Sequence, residues 1–406
     1  MKVAVTGIGA VGAFGTGRAS LEAVLALGAP AKTAAGRPAP DSRRGWSASP
    51  PLLAAAQDLS EWVPQPQARR MSAPSRMAVA AARQALHDAG LPRTGPDSEV
   101  PAGVVMSTSW GSAHYTERIL DQIRREGPEF VSPFYFTECV ANAAAAQVAL
   151  SLGARGPNIT VAQREAGVVL ALARGAREIA AGRASVVLAG AADEMTPTLH
   201  MILARFGALS LSSDGVARPF DRGRDGLLAA EGATVVVLEP LEAARRRGAR
   251  VLARVETWGC GFDPTAGPVS WGRETRLLGT RAARSLSSAD GPLDAIVSGA
   301  SGSPSGDRAE ASFLQGLKAA LGLPVLPPVL APKGATGEYG GFHVGAAVAA
   351  AAGAPVAPPA GFSAPDAELG VEPHRGSLPR CPRRVLVSSC ASGGAAAWAV
   401  LSGETA

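Results

Sequence analysis

The order of hydrophobic and polar positions predicts a chain in which short apolar strands alternate with amphipathic helices. The clearest unit covers residues 156–194, where residues 158–162 and 185–189 are short runs rich in β-branched side chains. Between these runs, apolar side chains recur at helical spacing over about residues 165–181. Short apolar strands that flank a helix are typical of a buried parallel sheet. The pattern therefore predicts an α/β fold with a strand–turn–helix unit near its middle.

The same alternation continues along the rest of the chain. Strands are predicted over residues 2–6, 104–107, 234–238, 251–257 and 293–298, and helices over residues 76–89, 116–126, 142–152, 241–247 and 273–286. The aromatic stretch 131–136 follows neither periodicity, so it is predicted to be irregular. Gly248 is predicted to end the short helix over residues 241–247, because a glycine commonly ends a helix. This helix is taken as the last element of the first half of the chain.

The N-terminal strand leads into Gly7-Ile8-Gly9-Ala10-Val11-Gly12, which has the glycine spacing of a dinucleotide-binding turn. Such a site also needs a helix and then a strand that ends in Asp or Glu about 20 residues further on. Residues 29–64 are instead rich in proline, glycine and alanine and contain no such strand pattern. Nucleotide binding is therefore not expected, and the glycines are assigned to a tight turn.

Composition indicates a large folded protein and excludes several other classes. Of the 406 residues, 47% are hydrophobic and 18% are charged, and the formal net charge is +5. This balance is that of an ordinary globular protein. No basic run contains interleaved aromatic residues, so nucleic-acid binding is not expected. The small excess of positive charge suits a solvated surface or a docking face for an acidic protein.

Cysteine and histidine positions indicate no metal site and no cofactor. Cys139, Cys260, Cys381 and Cys390 are scattered without a CxxC pair, as expected for reduced thiols in a cytoplasmic protein. Cys139 has no histidine nearby in sequence and is interpreted as a buried apolar side chain. No histidine pair has metal-ligand spacing, and no signal peptide is indicated. Glycine and proline interrupt the alanine-rich run 344–360, so no membrane span is expected.

Several stretches resemble the β-ketoacyl synthases of the thiolase-like superfamily. Gly156-Pro157-Asn158 and the strand, turn and helix that follow, up to Asp193, are similar to the nucleophile region of that family. The block RPFDRGRDG at residues 218–226, followed by AEGA, is similar to the family pattern RPFDxxRDGFVxGEGAG, with Ala230 in place of a glycine. The resemblance implies a thiolase-like fold with two pseudo-duplicated βαβαβ halves in five αβαβα layers. Residues 1–248 would form the N-terminal half and residues 249–406 the C-terminal half.

The resemblance also implies a catalytic cysteine and two histidines, but other residues stand at all three positions. Glu165 takes the place of the cysteine, Gly299 that of the first histidine and Glu338 that of the second. His343 is close in sequence to the position of the second histidine, although an alignment without gaps places Glu338 there. On its own, His343 is interpreted first as a helix histidine near the interface between the halves. No catalytic residue of the family is therefore intact.

These replacements predict that the chain alone has negligible condensation activity. Decarboxylative condensation needs a thiolate to hold the acyl group, and donors to stabilise the enolate and the oxyanion. A glutamate is a poor acyl-thioester nucleophile, and neither glycine nor glutamate replaces an imidazole donor. A carboxylate at a helix N-terminus is electrostatically favourable. Glu165 is therefore predicted to plug the former acyl pocket, with Arg164 as its candidate ion-pair partner.

Other residues are expected to shape the site rather than to react. Charged residues of the RPFD block are suited to order an irregular loop through charge-assisted hydrogen bonds. A glycine pair near the C-terminus is similar to the gating loop of the family, although the aromatic residues of that loop are replaced. The residues expected to shape the site are Glu165, Lys333, Glu310, Phe220, Asp221, Arg224, Asp225, Gly393 and Gly394.

The pattern of losses resembles the chain-length factors, or KSβ subunits, of type II polyketide systems. These subunits keep the scaffold, replace the cysteine, often with glutamine, and pair with an active KSα. The resemblance implies a heterodimer with a cysteine-containing KSα, an acyl carrier protein as a partner, and an acyl or polyketide chain in a shared tunnel. Two alternatives remain open. One is a malonyl-carrier decarboxylase or residual 3-oxoacyl synthase, and the other is a non-catalytic acyl-binding homodimer.

Overall fold

The computed structural model describes residues 1–30, 49–54, 57–92, 102–212, 214–286, 291–376, 378 and 381–404. Much of the segment 29–64, for which no acid-terminated strand is expected, therefore lies outside the described residues. Within the described ranges the strands are β1 (Val3–Gly12), β2 (Gly15–Thr16), β3 (Ala102–Ser107), β4 (Asn158–Val161), β5 (Val186–Asp193), β6 (Gly232–Pro240), β7 (Ala253–Phe262), β8 (Ala295–Val297), β9 (Val329–Leu330), β10 (Arg384–Cys390) and β11 (Ala395–Ser402).

Helices connect and cover these strands. Over the same described ranges they are α1 (Gly17–Leu27), α2 (Gln65–Ala68), α3 (Ala73–Asp88), α4 (Ala113–Glu126), α5 (Pro133–Cys139), α6 (Ala143–Leu152), α7 (Gly167–Ala180), α8 (Pro197–Arg205), α9 (Leu241–Arg246), α10 (Thr275–Arg284), α11 (Pro304–Ala320), α12 (Lys333–Thr336) and α13 (Phe342–Ala351). The predicted alternation of strands and helices is therefore confirmed in outline.

Two sets of strands share one topology. The first set has the order β4-β3-β5-β6-β1, and the second has the order β9-β8-β10-β11-β7. In each set the first three strands are parallel to one another and the last two join antiparallel. When the strands of each set are numbered along the chain, both orders read 3-2-4-5-1. The two sets meet where β1 pairs with β7, and the strands of one precede residue 248 while those of the other follow it.

Helices complete five layers around these two sets. Both α7 and α13 contact strands of each set, so they form the middle layer. Helices α3 and α6 cover the outer face of the first set, and α10 and α11 cover that of the second. The largest hydrophobic cluster joins the middle helices to strands of both halves. The predicted αβαβα arrangement is therefore confirmed.

Helix α13 is buried along its whole length. Every residue from Phe342 to Ala351 is buried, which suits a helix that is apolar on all sides and lies inside a large core. This explains the alanine-rich sequence after residue 344. Among the described residues, no helix combines the length and the apolar character needed to cross a bilayer.

The prediction of a tight turn for the N-terminal glycines was wrong, because Gly7 and Gly9 lie inside β1. A Cβ atom would lie 2.2 Å from the Ala85 carbonyl oxygen at Gly7 and 1.9 Å from the Ala81 carbonyl oxygen at Gly9. The missing side chains let the backbone of α3 pack directly against the strand. These glycines therefore serve close helix–strand packing.

The aromatic segment 131–136 is also not irregular throughout, because α5 begins within it at Pro133. Proline suits the first turn of a helix, where its fixed φ and missing N–H cost nothing. Cys139 ends α5 and is half-buried rather than buried, with its Sγ donating to the Phe136 carbonyl oxygen at 3.3 Å. The central helix begins at Gly167 and not at Glu165.

Candidate functional site

Glu165 lies in a single 3-10 turn, Arg164–Ala166, that connects β4 to α7. The side chain is buried although it carries an ionisable group. Ser392 donates from its N–H to Glu165 Oε2 at 3.1 Å, and Ser392 Oγ lies 3.3 and 3.2 Å from Oε1 and Oε2. Ser389 Oγ donates to the Glu165 main-chain carbonyl at 2.7 Å. The side chain therefore joins the first half to the segment between β10 and β11.

Arg164 does not pair with Glu165 as predicted. Its Nη1 donates to Ser392 Oγ at 3.0 Å, and its guanidinium carbon lies 5.6 Å from the centroid of the Trp110 ring. The main chain of Arg164 has a φ of 45°, in the left-handed region that non-glycine residues seldom adopt. Ser392 therefore contacts both neighbouring side chains, and Arg164 and Glu165 do not form an ion pair with each other.

Burial is the main reason that the pKa of Glu165 is raised to about 7, and the nearby Glu338 carboxylate raises it further. Hydrogen bonds from the main chain of Glu165 and from Ser392, together with the charge of Lys333, act in the opposite direction. Near neutral pH a large fraction of the Glu165 side chain is therefore uncharged.

Glu338, which was predicted to stand at the second histidine position, forms a buried ion pair. Lys333 Nζ donates to Oε1 at 2.6 Å and to Oε2 at 2.8 Å, and the side chains of Lys333 and Glu338 are only 2% and 3% exposed. A buried carboxylate requires such a partner, because an unpaired charge is costly in a low-dielectric interior. The Lys333 ammonium group thus donates hydrogen bonds to both carboxylate oxygens of Glu338.

His343 lies on α13, close to Glu165 and Glu338. It lines a small cavity of about 10 Å³, here called the inner cavity, together with Glu165, Glu338 and Asp193. Burial, and then the charge of Lys333, lowers the pKa of His343 well below its ordinary value, so the ring is neutral. Its Nε2 is buried and has no hydrogen-bond partner among the described residues. His343 is therefore both a helix histidine between the halves and a neighbour of Glu165.

Asp193 is a buried carboxyl of the inner cavity that the sequence did not single out. It lies at the end of β5, and Thr108 Oγ1 and the Ser109 N–H donate to its Oδ1 at 2.9 and 2.7 Å. Burial raises the pKa of Asp193 to about 6, against the effect of these hydrogen bonds. Asp193 thus fixes the segment after β3 beside the altered centre.

Gly299, which was predicted to stand at the first histidine position, leaves no room for a side chain. A Cβ atom there would lie 2.8 Å from Ser389 Oγ and 2.9 Å from Glu310 Oε1. Both groups are held in place by hydrogen bonds. Ser389 Oγ donates to the main-chain carbonyl of Glu165. Glu310 accepts hydrogen bonds from Ser388 Oγ at 3.0 Å and from the Cys390 N–H at 2.5 Å. The space next to Gly299 is therefore filled by a hydrogen-bonded cluster.

The RPFD block lies outside both the inner cavity and the larger cavity described below. Its residues attach one loop to neighbouring segments through short polar contacts. The contacts are the Phe220 N–H to Asp307 Oδ2 (2.7 Å), the Ala364 N–H to Asp221 Oδ2 (2.7 Å), Arg224 Nη1 to Asp366 Oδ2 (2.6 Å) and Ser210 Oγ to Asp225 Oδ1 (2.6 Å). These residues therefore support the site indirectly.

The glycine pair near the C-terminus forms a loop over the site, residues 391–394. Gly393 and Gly394 have φ values of 90° and 92°, which favour glycine. The Gly393 N–H donates to the Ser270 carbonyl oxygen at 2.9 Å. The loop is thus attached both to the turn Arg164–Ala166, through Ser392, and to the segment after β7.

An open cavity of about 900 Å³, here called the outer cavity, reaches Glu165 from the protein surface. Arg164, Glu165 and Tyr339 line both cavities and so separate them. Tyr339 has a φ of 78°, so a second strained main chain lies at this boundary. The outer cavity was not predicted, because its walls come from segments spread from Trp110 to Ser392.

Comparisons with known proteins agree with this architecture. Residues 1–244 match the family model described as "Beta-ketoacyl synthase, N-terminal domain". The 3-oxoacyl-[acyl-carrier-protein] synthase 2 of Vibrio harveyi is 32% identical over 273 residues, which cover 65% of this chain and 64% of that protein. The match therefore spans less than two thirds of the length of this curated relative.

Two solved structures align over nearly the whole chain. One is described as the ishigamide ketosynthase/chain length factor and covers 100% of this chain and 99% of its own, with a TM-score of 0.87 and 26% identity. The other is a type II PKS acyl-carrier protein in complex with its ketosynthase bound to the hexaketide. It covers 99% of each chain with a TM-score of 0.84, and at 21% identity it shows the fold alone.

Proposed function

Because the chain belongs to the β-ketoacyl synthase family, we propose that it is a non-condensing member, a chain-length factor or KSβ. In this role it pairs with a cysteine-containing KSα and shapes the tunnel for an acyl or polyketide chain. An acyl carrier protein delivers that chain to the complex. The proposal includes a boundary between the halves at residues 248 and 249, and a cytoplasmic location, which suits four free cysteines.

The observation that carries the proposal is the state of the three catalytic positions. The nucleophile position holds a carboxyl bound to Ser392, and the second histidine position holds a carboxylate paired with Lys333. The first histidine position has no space for an imidazole. A condensing enzyme needs a thiolate and an oxyanion-stabilising donor at these places. Replacement of one residue is therefore not enough to restore catalysis.

An exposed apolar helix face supports the pairing with a second subunit. Helix α4 has no buried residue in the single chain, although one of its faces is apolar. Leu120 on α4 and Phe136 on α5 are 61% and 62% exposed. Strand β4 lies at the edge of its sheet and contacts α6, which in turn contacts α5. Large exposed apolar patches mark interaction surfaces, and a partner on this face would cover them.

Co-expression with a cysteine-containing ketosynthase encoded beside this chain tests the proposal. We expect a stable one-to-one complex that condenses malonyl and acyl groups on a carrier protein, whereas this chain alone gives no product. The control is the same complex with the partner's cysteine replaced by alanine, which should be inactive. Turnover by this chain alone at the rate of a cysteine-containing relative would contradict the proposal.

One observation favours a second candidate, decarboxylation of a malonyl group on the carrier. Glu165, with its raised pKa, lies at the floor of an open cavity, and the neutral His343 is a neighbour. Release of CO₂ from malonyl-carrier protein distinguishes the candidates. Under the chain-length-factor proposal, the wild-type chain and the Glu165→Gln and Glu165→Ala variants all release CO₂ at the background rate. A rate that falls in both variants would favour the decarboxylase.

A further inference from the structure

The charged side chains around the outer cavity are not balanced. Arg164, Arg273 and Arg308 line it, and Glu165 is the single carboxyl among the described lining residues. Burial raises the pKa of that carboxyl to about 7, so near neutral pH it supplies less than one full negative charge. The cavity therefore has a net positive charge, which favours an anionic ligand.

Arg164 is the arginine best placed to recognise such a ligand. The guanidinium lies over Trp110 and, among the described residues, makes one side-chain hydrogen bond, to the neutral Ser392 hydroxyl, and no ion pair. A guanidinium has five N–H donors, so most of them remain available.

The position of each arginine decides where an anion binds most strongly. Arg273 and Arg308 are exposed, so water and salt weaken their attraction. Arg164 is half-buried at the floor, where a charge-assisted hydrogen bond is stronger. The walls between floor and surface include the apolar side chains of Leu203, Phe206 and Leu227. A ligand that satisfies both regions has an aliphatic chain and an anionic end.

We propose that the outer cavity binds an aliphatic chain that ends in a carboxylate, with the carboxylate paired to Arg164 and the chain lying along Trp110, Leu203 and Phe206. This inference goes beyond the proposed function, because neither subunit pairing nor tunnel shape requires recognition of a free carboxylate. An arginine fork matches a carboxylate with two parallel hydrogen bonds, and one side-chain hydrogen bond to Ser392 leaves Arg164 enough donors for this.

Calorimetric titration of the full-length chain with octanoate and with 1-octanol tests the inference. At about pH 6.5 octanoate is ionised while Glu165 is mostly neutral. We expect octanoate to bind about tenfold more tightly than octanol, and Arg164→Gln to remove this difference. Arg164→Lys should keep part of it, because the charge remains while the fork is lost. Arg308→Gln should weaken octanoate binding by no more than about twofold.

Arg246→Gln on α9 is the matched control, because Arg246 is exposed and does not line the cavity. Circular dichroism checks that each variant is folded. If Arg164→Gln does not fold, the comparison of octanoate with octanol on the wild type and on Arg164→Lys decides the outcome. Equal binding of octanoate and octanol overturns the inference. It is also overturned if Arg308→Gln removes the difference between octanoate and octanol binding while Arg164→Gln does not. The anion would then bind at the surface opening of the outer cavity. Repeating the titration on the complex with a ketosynthase separates ligand binding from subunit pairing.

Discussion

Glu165 holds two distant parts of the protein together through hydrogen bonds. Its carboxyl accepts hydrogen bonds from Ser392, 227 residues away in the chain, and its main chain accepts one from Ser389. The predicted ion-pair partner of Glu165, Arg164, was wrong, because the Glu165 carboxyl is hydrogen-bonded to Ser392 instead. That Glu165 plugs a former acyl pocket stays a prediction. Local sequence shows which residues are neighbours along the chain, whereas the partners of a turn depend on the packing of distant segments.

The first residue-scale prediction concerns pH. The pKa of Glu165 rises from 4.5 to about 7 on folding, so ionisation of this side chain opposes folding. Relative to Glu165→Gln, the wild type should lose stability as pH rises from about 4.5 to about 7, by up to about 3 kcal/mol. Urea unfolding of both proteins across this pH range measures the difference. A difference that stays constant with pH contradicts the assignment.

The second residue-scale prediction concerns Gly299. Gly299→Ala should lower the free energy of unfolding by about 1–3 kcal/mol, because the new Cβ atom collides with Ser389 Oγ and Glu310 Oε1. The matched control is the double variant Gly299→Ala with Ser389→Ala, which removes one of the two collisions. The double variant should be more stable than the sum of the single effects, as measured by a double-mutant cycle. If the effects of the two single substitutions simply add, the Cβ atom at residue 299 does not collide with Ser389 Oγ.

At the scale of elements, the strands and helices followed from periodicity, whereas the glycines of β1 did not. A glycine pattern of this kind serves a tight turn or close packing equally well, and only the facing helix distinguishes them. The backbone of α3 passes so close to Gly7 and Gly9 that no Cβ atom fits. The helix predicted from about residue 165 likewise starts later, at Gly167, because residues 165 and 166 belong to the short turn Arg164–Ala166.

One prediction follows at this scale. Gly9→Ala should lower the free energy of unfolding by about 3 kcal/mol or more, because the helix would have to move away from the strand. Gly17→Ala is the matched control, since no atom lies within 4 Å of its Cβ position and its φ of 81° costs only about 1 kcal/mol of strain. Thermal unfolding of both variants gives the comparison. Equal losses would mean that packing against α3 is not the reason for the glycine.

At the scale of the whole molecule, the duplication is visible in strand order and direction rather than in residues. Both halves read 3-2-4-5-1, yet the sequence shows no strong repeat between them. Strand pairing depends on contacts between distant segments, and many apolar side chains satisfy the same buried position. The family resemblance therefore indicated the duplicated fold where periodicity indicated only its elements. The outer cavity is a product of the same long-range packing.

The last prediction concerns subunit pairing. Leu120→Glu should abolish the complex with a ketosynthase partner, because it places a charge in the apolar face of α4. Val325→Glu is the matched control, since Val325 is 74% exposed and lies far along the chain, between α11 and β9. Native mass spectrometry of the co-expressed proteins measures the one-to-one complex. Loss of the complex in both variants, or in neither, would place the pairing surface elsewhere.

The crowding next to Gly299 has a consequence for any attempt to turn this protein into a condensing enzyme. A cysteine introduced at residue 165 would share the inner cavity with the imidazole of His343. An imidazole introduced at residue 299 would first collide with Ser389 and Glu310. Under the proposed function, a working site would therefore require coordinated changes at residues 165 and 299 and at the neighbours of Gly299.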